Sequence, residues 1–135
     1  MAASTQTEPE RTNDARRTRL GNILTALAAL FLFVDGIARV VGFAPYVEGT
    51  VRAGFAADDG TWIGLVLIVS TLLYVIPRTA FFGAILITGY LGAATATHVQ
   101  AGDAFSFPIL FGVWIWAALY LRDQRLRDPV HFWRP

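Results

Sequence analysis

The sequence predicts an all-α, polytopic membrane protein, an antiparallel four-helix transmembrane bundle with both chain ends on one face. Three observations predict it. Four long apolar stretches lie at about 20–43, 61–76, 79–98 and 104–121. Asp35 and Arg39 are the two charged residues inside them, one helical turn apart in the first stretch. The basic residues, all arginines, gather on one side of a chain threaded four times through a bilayer. Composition agrees: 55% of the 135 residues are hydrophobic and 16% are charged, against roughly 25% charged in soluble domains.

Each element follows in order. Residues 1–19 are polar, with Ser4, Thr5, Thr7, Pro9 and Thr12 among scattered charges. Such a segment buries too little apolar surface to fold, and a disordered cytoplasmic tail is expected. The first span starts at Leu20. Read as a signal peptide it would need small residues at a cleavage site, but Gly36-Ile37-Ala38 is followed at once by Arg39, so an uncleaved helix is expected. The outer connection, 44–60, carries Tyr46, Val47, Val51 and Phe55 at helical spacing, as a short interfacial helix or a loop would.

The second, third and fourth spans hold no charge over 16, 19 and 18 positions (61–76, 79–97 and 104–121). A spanning helix needs about 20 residues, with a range of roughly 17–25, so the second and fourth are short. Trp62, Tyr120 and Arg122 extend them into the interfaces. Lipid offers no partner for backbone N–H and C=O groups, so each span must satisfy its own as a helix. A soluble bundle would need a polar stripe on each helix, which 65–69 and 80–87 do not provide. Pro77-Arg78 joins the second and third spans as a tight hairpin, because proline ends one helix and suits the first turn of the next. The tail, 122–135, is basic and aromatic, with Arg127, Phe132, Trp133 and Arg134.

Topology follows from the arginines. Arg11, Arg16, Arg17, Arg19, Arg78, Arg122, Arg125, Arg127 and Arg134 fall on one side, which is therefore cytoplasmic. The opposite side holds Arg52 with Glu48, Asp58, Asp59 and Asp103. The expected location is the cell membrane, multi-pass, with both termini cytoplasmic and the lipid bilayer as the first partner.

Ala80, Ala84, Thr88, Gly92 and Ala96 recur every four residues in the third span, beside a second row of Gly89, Ala93 and Thr97. Small residues let membrane helices approach closely, so this face is expected to be the packing hub. Trp114, Trp116 and Tyr120, with Phe105 and Phe107, are expected to form the interfacial belt and lipid-facing surface.

Tyr74-Val75-Ile76-Pro77-Arg78-Thr79-Ala80, Gly83-Ala84-Ile85-Leu86, Thr88-Gly89-Tyr90-Leu91-Gly92 and Ala96-Thr97-His98-Val99 closely resemble the DoxX-like family. Phe33-Val34-Asp35-Gly36 and Leu119-Tyr120-Leu121-Arg122-Asp123 are also similar, and the resemblance covers about 20–127. It implies a four-helix membrane protein. It also implies a link to membrane redox systems, since the family takes its name from a subunit of a thiosulfate:quinone oxidoreductase. Members with thiol chemistry need cysteine, and this chain has none.

Where chemistry sits is constrained by depth. At about 1.5 Å per residue, Asp35 lies about 22 Å from the inner boundary at Leu20, and His98 about 28 Å from the same boundary at Thr79. Asp35, Arg39 and His98 thus converge towards the outer face, where Tyr90 and Thr97 join them if they point inward. Charge inside hydrocarbon costs several kcal/mol and marks a functional position by default. The plainer reading is that Asp35 and Arg39 pair with each other while Arg39 snorkels outward. In the ligand-binding reading Asp35 accepts a hydrogen bond or proton, Arg39 keeps it ionised, and His98 donates to a ligand carbonyl. Ligand spacing for a metal is missing, and no arginine run reads as a nucleic-acid patch.

Three functions follow as expectations. The first is a small non-catalytic membrane subunit, assembling with itself or with a membrane redox partner. The second is a redox-linked subunit binding a quinone among Asp35, Arg39, Tyr90, Thr97 and His98. The third is a small-solute or proton carrier, for which Asp35 is the one hint.

Overall fold

The computed structural model describes residues 7–127, and every regular element among them is helical. In chain order these are α1 (Glu8–Val40), α2 (Ala44–Arg52), α3 (Asp59–Val75), α4 (Ala80–Ala101), α5 (Ser106–Arg122) and the single turn α6 (Gln124–Arg127). Two of them, α1 and α4, are long and apolar enough to cross a membrane, while α3 and α5 are apolar helices of 17 residues each.

Helix α1 corrects the expected disordered tail over residues 8–19, which form its first three turns. The Thr7 N–H donates to Glu10 Oε2 at 2.9 Å, Pro9 occupies the first turn, and Glu8 and Glu10 face the positive end of the helix dipole. A helix already nucleated by its apolar part extends at one hydrogen bond per added residue, so a polar segment with a good cap simply continues it. Residues 1–6 lie outside the described residues.

The ends of α1 and α4 share one device. Gly42 and Gly102 take φ of +68° and +74°, the left-handed conformation that only glycine adopts without steric cost. In each case the next N–H reaches back, Phe43 to the Ala38 carbonyl and Asp103 to that of His98, both at 2.9 Å. Helix α3 stops ahead of Pro77, and Thr79 Oγ1 donates to the Leu73 carbonyl at 2.8 Å to tighten the turn into α4.

Four helices surround one core: α1 packs on α3 and α5, and α4 packs on the same two. Specific contacts order them. A Cβ on Gly21 would lie 2.5 Å from the backbone of Arg122, joining the early part of α1 to the end of α5. Gly36, late in α1, meets Gly64, early in α3. Gly83 at the start of α4 abuts Tyr74 at the end of α3. The core comprises Leu32, Leu67, Tyr74, Ile87, Ile115 and Leu119, all sealed from solvent. Tyr74 is 0% exposed, yet its hydroxyl is satisfied, donating to the Ile115 carbonyl at 2.8 Å. Arg122 closes the same end, donating to the carbonyls of Tyr74 and Val75 while its guanidinium lies 4.9 Å from the Tyr74 ring centroid.

Two packing expectations need correction. The four-residue row on α4 is buried only at Ala80 and Ala84; Thr88, Gly92 and Ala96 are exposed, and nothing lies within 4 Å of a Cβ built on Gly92. The buried row is Ala80, Ala84, Ile87 and Leu91. At 3.6 residues per turn a strict four-residue step rotates by about 40° each time, so the row winds off the core face within two steps. Helices α1 and α3 each pack on three other helices and α4 on two, so α4 is not the hub. Trp114 and Trp116 are half-buried rather than lipid-facing: their indole N–H groups donate to the Leu24 carbonyl at 3.2 Å and to Thr88 Oγ1 at 2.9 Å. Tyr120, Phe105 and Phe107 are exposed as expected.

The start of the basic tail is ordered by α6. Leu126 packs against the core, and Arg127 reaches α1, with Nη2 donating to Thr18 Oγ1 at 3.3 Å and Nη1 3.5 Å from Asp14. Phe132, Trp133 and Arg134 lie outside the described residues.

Candidate functional site

Asp35 sits on the inward face of α1, its side chain 12% exposed. One oxygen, Oδ2, accepts two donors: the Tyr90 hydroxyl on α4 at 2.6 Å, and Nε of Arg39, a turn further along α1, at 3.4 Å. Arg39 is 21% exposed, and two aromatic rings flank its guanidinium. The Tyr46 centroid lies 5.2 Å from its central carbon and the Tyr90 centroid 5.8 Å. Both contacts are within cation–π range.

The local backbone explains how these groups meet. A Cβ on Gly64 would lie 2.6 Å from the Gly36 carbonyl oxygen and 2.9 Å from Arg39 Cβ. Glycine at both positions lets α1 and α3 touch backbone to backbone beside the charged pair. Asp35, a residue before Gly36, faces α4, where Tyr90 reaches it.

Tyr46 comes from α2, which the Gly42 stop folds back over this end of α1 and α3. It is held there by Thr50, 4% exposed, whose hydroxyl donates to the Tyr46 carbonyl at 2.8 Å and packs against Gly60. Burial pushes the Tyr46 phenol above its ordinary value, and the nearby Asp35 carboxylate adds to the shift while Arg39 opposes it. Tyr46 was missing from the residues expected at the site. The signal for it was a tyrosine two helical turns past Arg39 in sequence, on a segment with helical spacing.

Of the five residues expected to converge, the structure brings together Asp35, Arg39 and Tyr90. Thr97 and His98 instead bond back to their own helix, Oγ1 and Nδ1 each meeting the Ala94 carbonyl, at 2.9 and 2.7 Å. Helix geometry accounts for both. Thr97 shares the Tyr90 face but lies two turns, about 10 Å, further along, and His98 is rotated about 80° from that face. Depth alone could not separate them.

Chemically, the cluster is a carboxylate whose accepting oxygen is already shared by a phenol and a guanidinium. No nucleophile stands against a base and its orienting partner among the described residues of this cluster. Among the described residues no three His, Cys, Asp or Glu side chains gather as a metal site requires.

A small all-helical chain, with apolar helices of membrane-crossing length and a charged pair folded inward, has the character of a membrane protein. The chain belongs to the DoxX-like family, whose model matches residues 23–119. That stretch includes Asp35, Arg39, Tyr46 and Tyr90, and it ends before Arg122. No curated protein and no solved structure matches the chain.

Proposed function

We propose that this protein is a non-catalytic subunit of the cell membrane, an antiparallel four-helix transmembrane bundle whose ends both face the cytoplasm. It assembles with itself or with a membrane redox partner. The observation that carries this reading is that Asp35 is engaged internally, with Tyr90 and Arg39 both donating to its Oδ2, and that α1 and α3 are in backbone contact beside it. A charge pair neutralised in this way ties α1 to α4 through Asp35 Oδ2.

Support for four crossings comes from α3 and α5. Each has 17 residues, at the lower limit of spanning length, and each packs between α1 and α4. An even number of crossings also puts Arg19, Arg78 and Arg125 on one side, as the arginine bias requires.

Reporter fusions at the two ends test the topology: both must report from the cytoplasm, and opposite reports defeat it. Mass spectrometry of the gently purified protein tests the subunit role. Co-purification of a stoichiometric membrane partner or a second copy supports it. A lone chain that turns over a substrate defeats it. The quinone-binding alternative now rests on Asp35, Arg39 and Tyr90, without His98. It requires a lipid-soluble chromophore that survives purification and leaves in Asp35→Asn.

A further inference from the structure

We propose that the arginine-rich end of the molecule binds the phosphate groups of anionic phospholipids. The inference rests on the reading that this end lies at the cytoplasmic headgroups, and it adds a ligand there that the topology alone does not demand.

Contacts place the relevant residues at one level. Gly21 of α1 touches the Arg122 backbone, and Arg122 donates to the carbonyls closing α3. The start of α4 abuts Tyr74 at Gly83. Arg19, Arg78 and Arg125 therefore surround a single end of the helices, arriving from α1, from the α3–α4 turn and from α6. Arg16 and Arg17 stand one turn further out on α1.

All five are exposed, and none makes a side-chain hydrogen bond or ion pair among the described residues. Three of the acids at this end are engaged elsewhere, and Glu8 stands at the far tip of α1, beyond Arg16 and Arg17. Asp14 pairs with Arg127, Asp123 Oδ1 accepts the Arg125 backbone N–H at 2.9 Å, and Glu10 caps α1. Five guanidinium groups without a side-chain partner among the described residues thus carry positive charge at one end of the helices. Guanidinium matches phosphate oxygens in a planar two-point fit, and headgroup phosphates are the anions held at this depth. The opposite end carries Glu48, Asp58, Asp59 and Asp103 against Arg52, so attraction to anionic lipid is confined to one face.

The test uses the full chain in mixed nanodiscs of phosphatidylglycerol and phosphatidylcholine, with lipid retention read by native mass spectrometry. Phosphatidylglycerol should be retained preferentially. Arg19→Gln, Arg78→Gln and Arg125→Gln should each weaken the preference by about fivefold at low salt, and their combination by correspondingly more. Arg52→Gln should leave it unchanged. Equal retention of the two lipids, or a triple variant that keeps the preference, overturns the proposal. So does inorganic phosphate that raises the melting temperature as far as phosphatidylglycerol does, because the site then serves a free anion. These side chains are exposed, so the variants should melt like the native chain in phosphatidylcholine alone. A chain that needs detergent yet ignores headgroup charge overturns this inference and leaves the membrane reading standing.

Discussion

The Tyr90 hydroxyl on α4 donates to the Asp35 carboxylate on α1 at 2.6 Å, linking two helices separated elsewhere by α3 and α5. A bond in that position has more leverage than one between neighbours. It holds a carboxylate inward and keeps the Arg39 guanidinium between the rings of Tyr46 and Tyr90.

Removing only the hydroxyl isolates this bond. Tyr90→Phe keeps the ring over Arg39 and takes away the donor, and should destabilise the protein by about 1.5–3 kcal/mol, the range for hydrogen bonds to charged groups. Thermal unfolding in detergent measures it. A melting temperature equal to that of the native chain would show that Asp35 is held by Arg39 alone.

Asp35→Ala strips Arg39 of its counter-charge and Tyr90 of its acceptor, which should cost more than Tyr90→Phe. The double variant Asp35→Ala/Arg39→Met should recover much of that loss, because replacing both charges with apolar groups removes the uncompensated ion. A double-mutant cycle on melting free energies reads the coupling. Additive losses would mean that the two side chains act independently.

Gly64→Ala places a methyl 2.6 Å from the Gly36 carbonyl oxygen and must push α1 from α3. Overpacking of this kind costs about 1–3 kcal/mol, and here it also shifts Arg39. Gly92→Ala is the matched control, since its Cβ meets nothing within 4 Å and alanine is the better helix former. Stability should fall in the first variant and hold or rise in the second.

Arg122→Lys tests the closure at the other end. Arg122 reaches two carbonyls at the end of α3 and stacks on Tyr74, whereas an ammonium cannot reproduce the planar fork. A loss of about 1 kcal/mol is expected, with hydrogen exchange accelerating first in the last turn of α3. Uniform exchange across the chain would place the residue's role elsewhere.

Much of the local structure was legible in the residues themselves. Pro77-Arg78 marked the α3–α4 turn to within two residues of its observed limits, because proline cannot continue a helix. The charge-free stretches marked α3, α4 and α5, and the inward carboxylate was marked by its isolation in apolar sequence. The polar start of α1 is the exception: low apolar content points to disorder, yet a capped helix extends there from the neighbouring apolar span.

What the sequence determined by itself is where the helices lie, which family they belong to and which end carries the arginines. Those properties depend on composition and on local backbone rules that act within a few residues. The tertiary structure alone decided that Tyr90 reaches Asp35 while Thr97 and His98 turn back to Ala94, that α2 delivers Tyr46, and that the small-residue row winds out of the core. Each depends on how far a helix is rotated and shifted against its neighbours. An error of one residue swings a side chain by about 100°, and that rotation is set by packing at contacts such as Gly36 on Gly64, far apart in the chain.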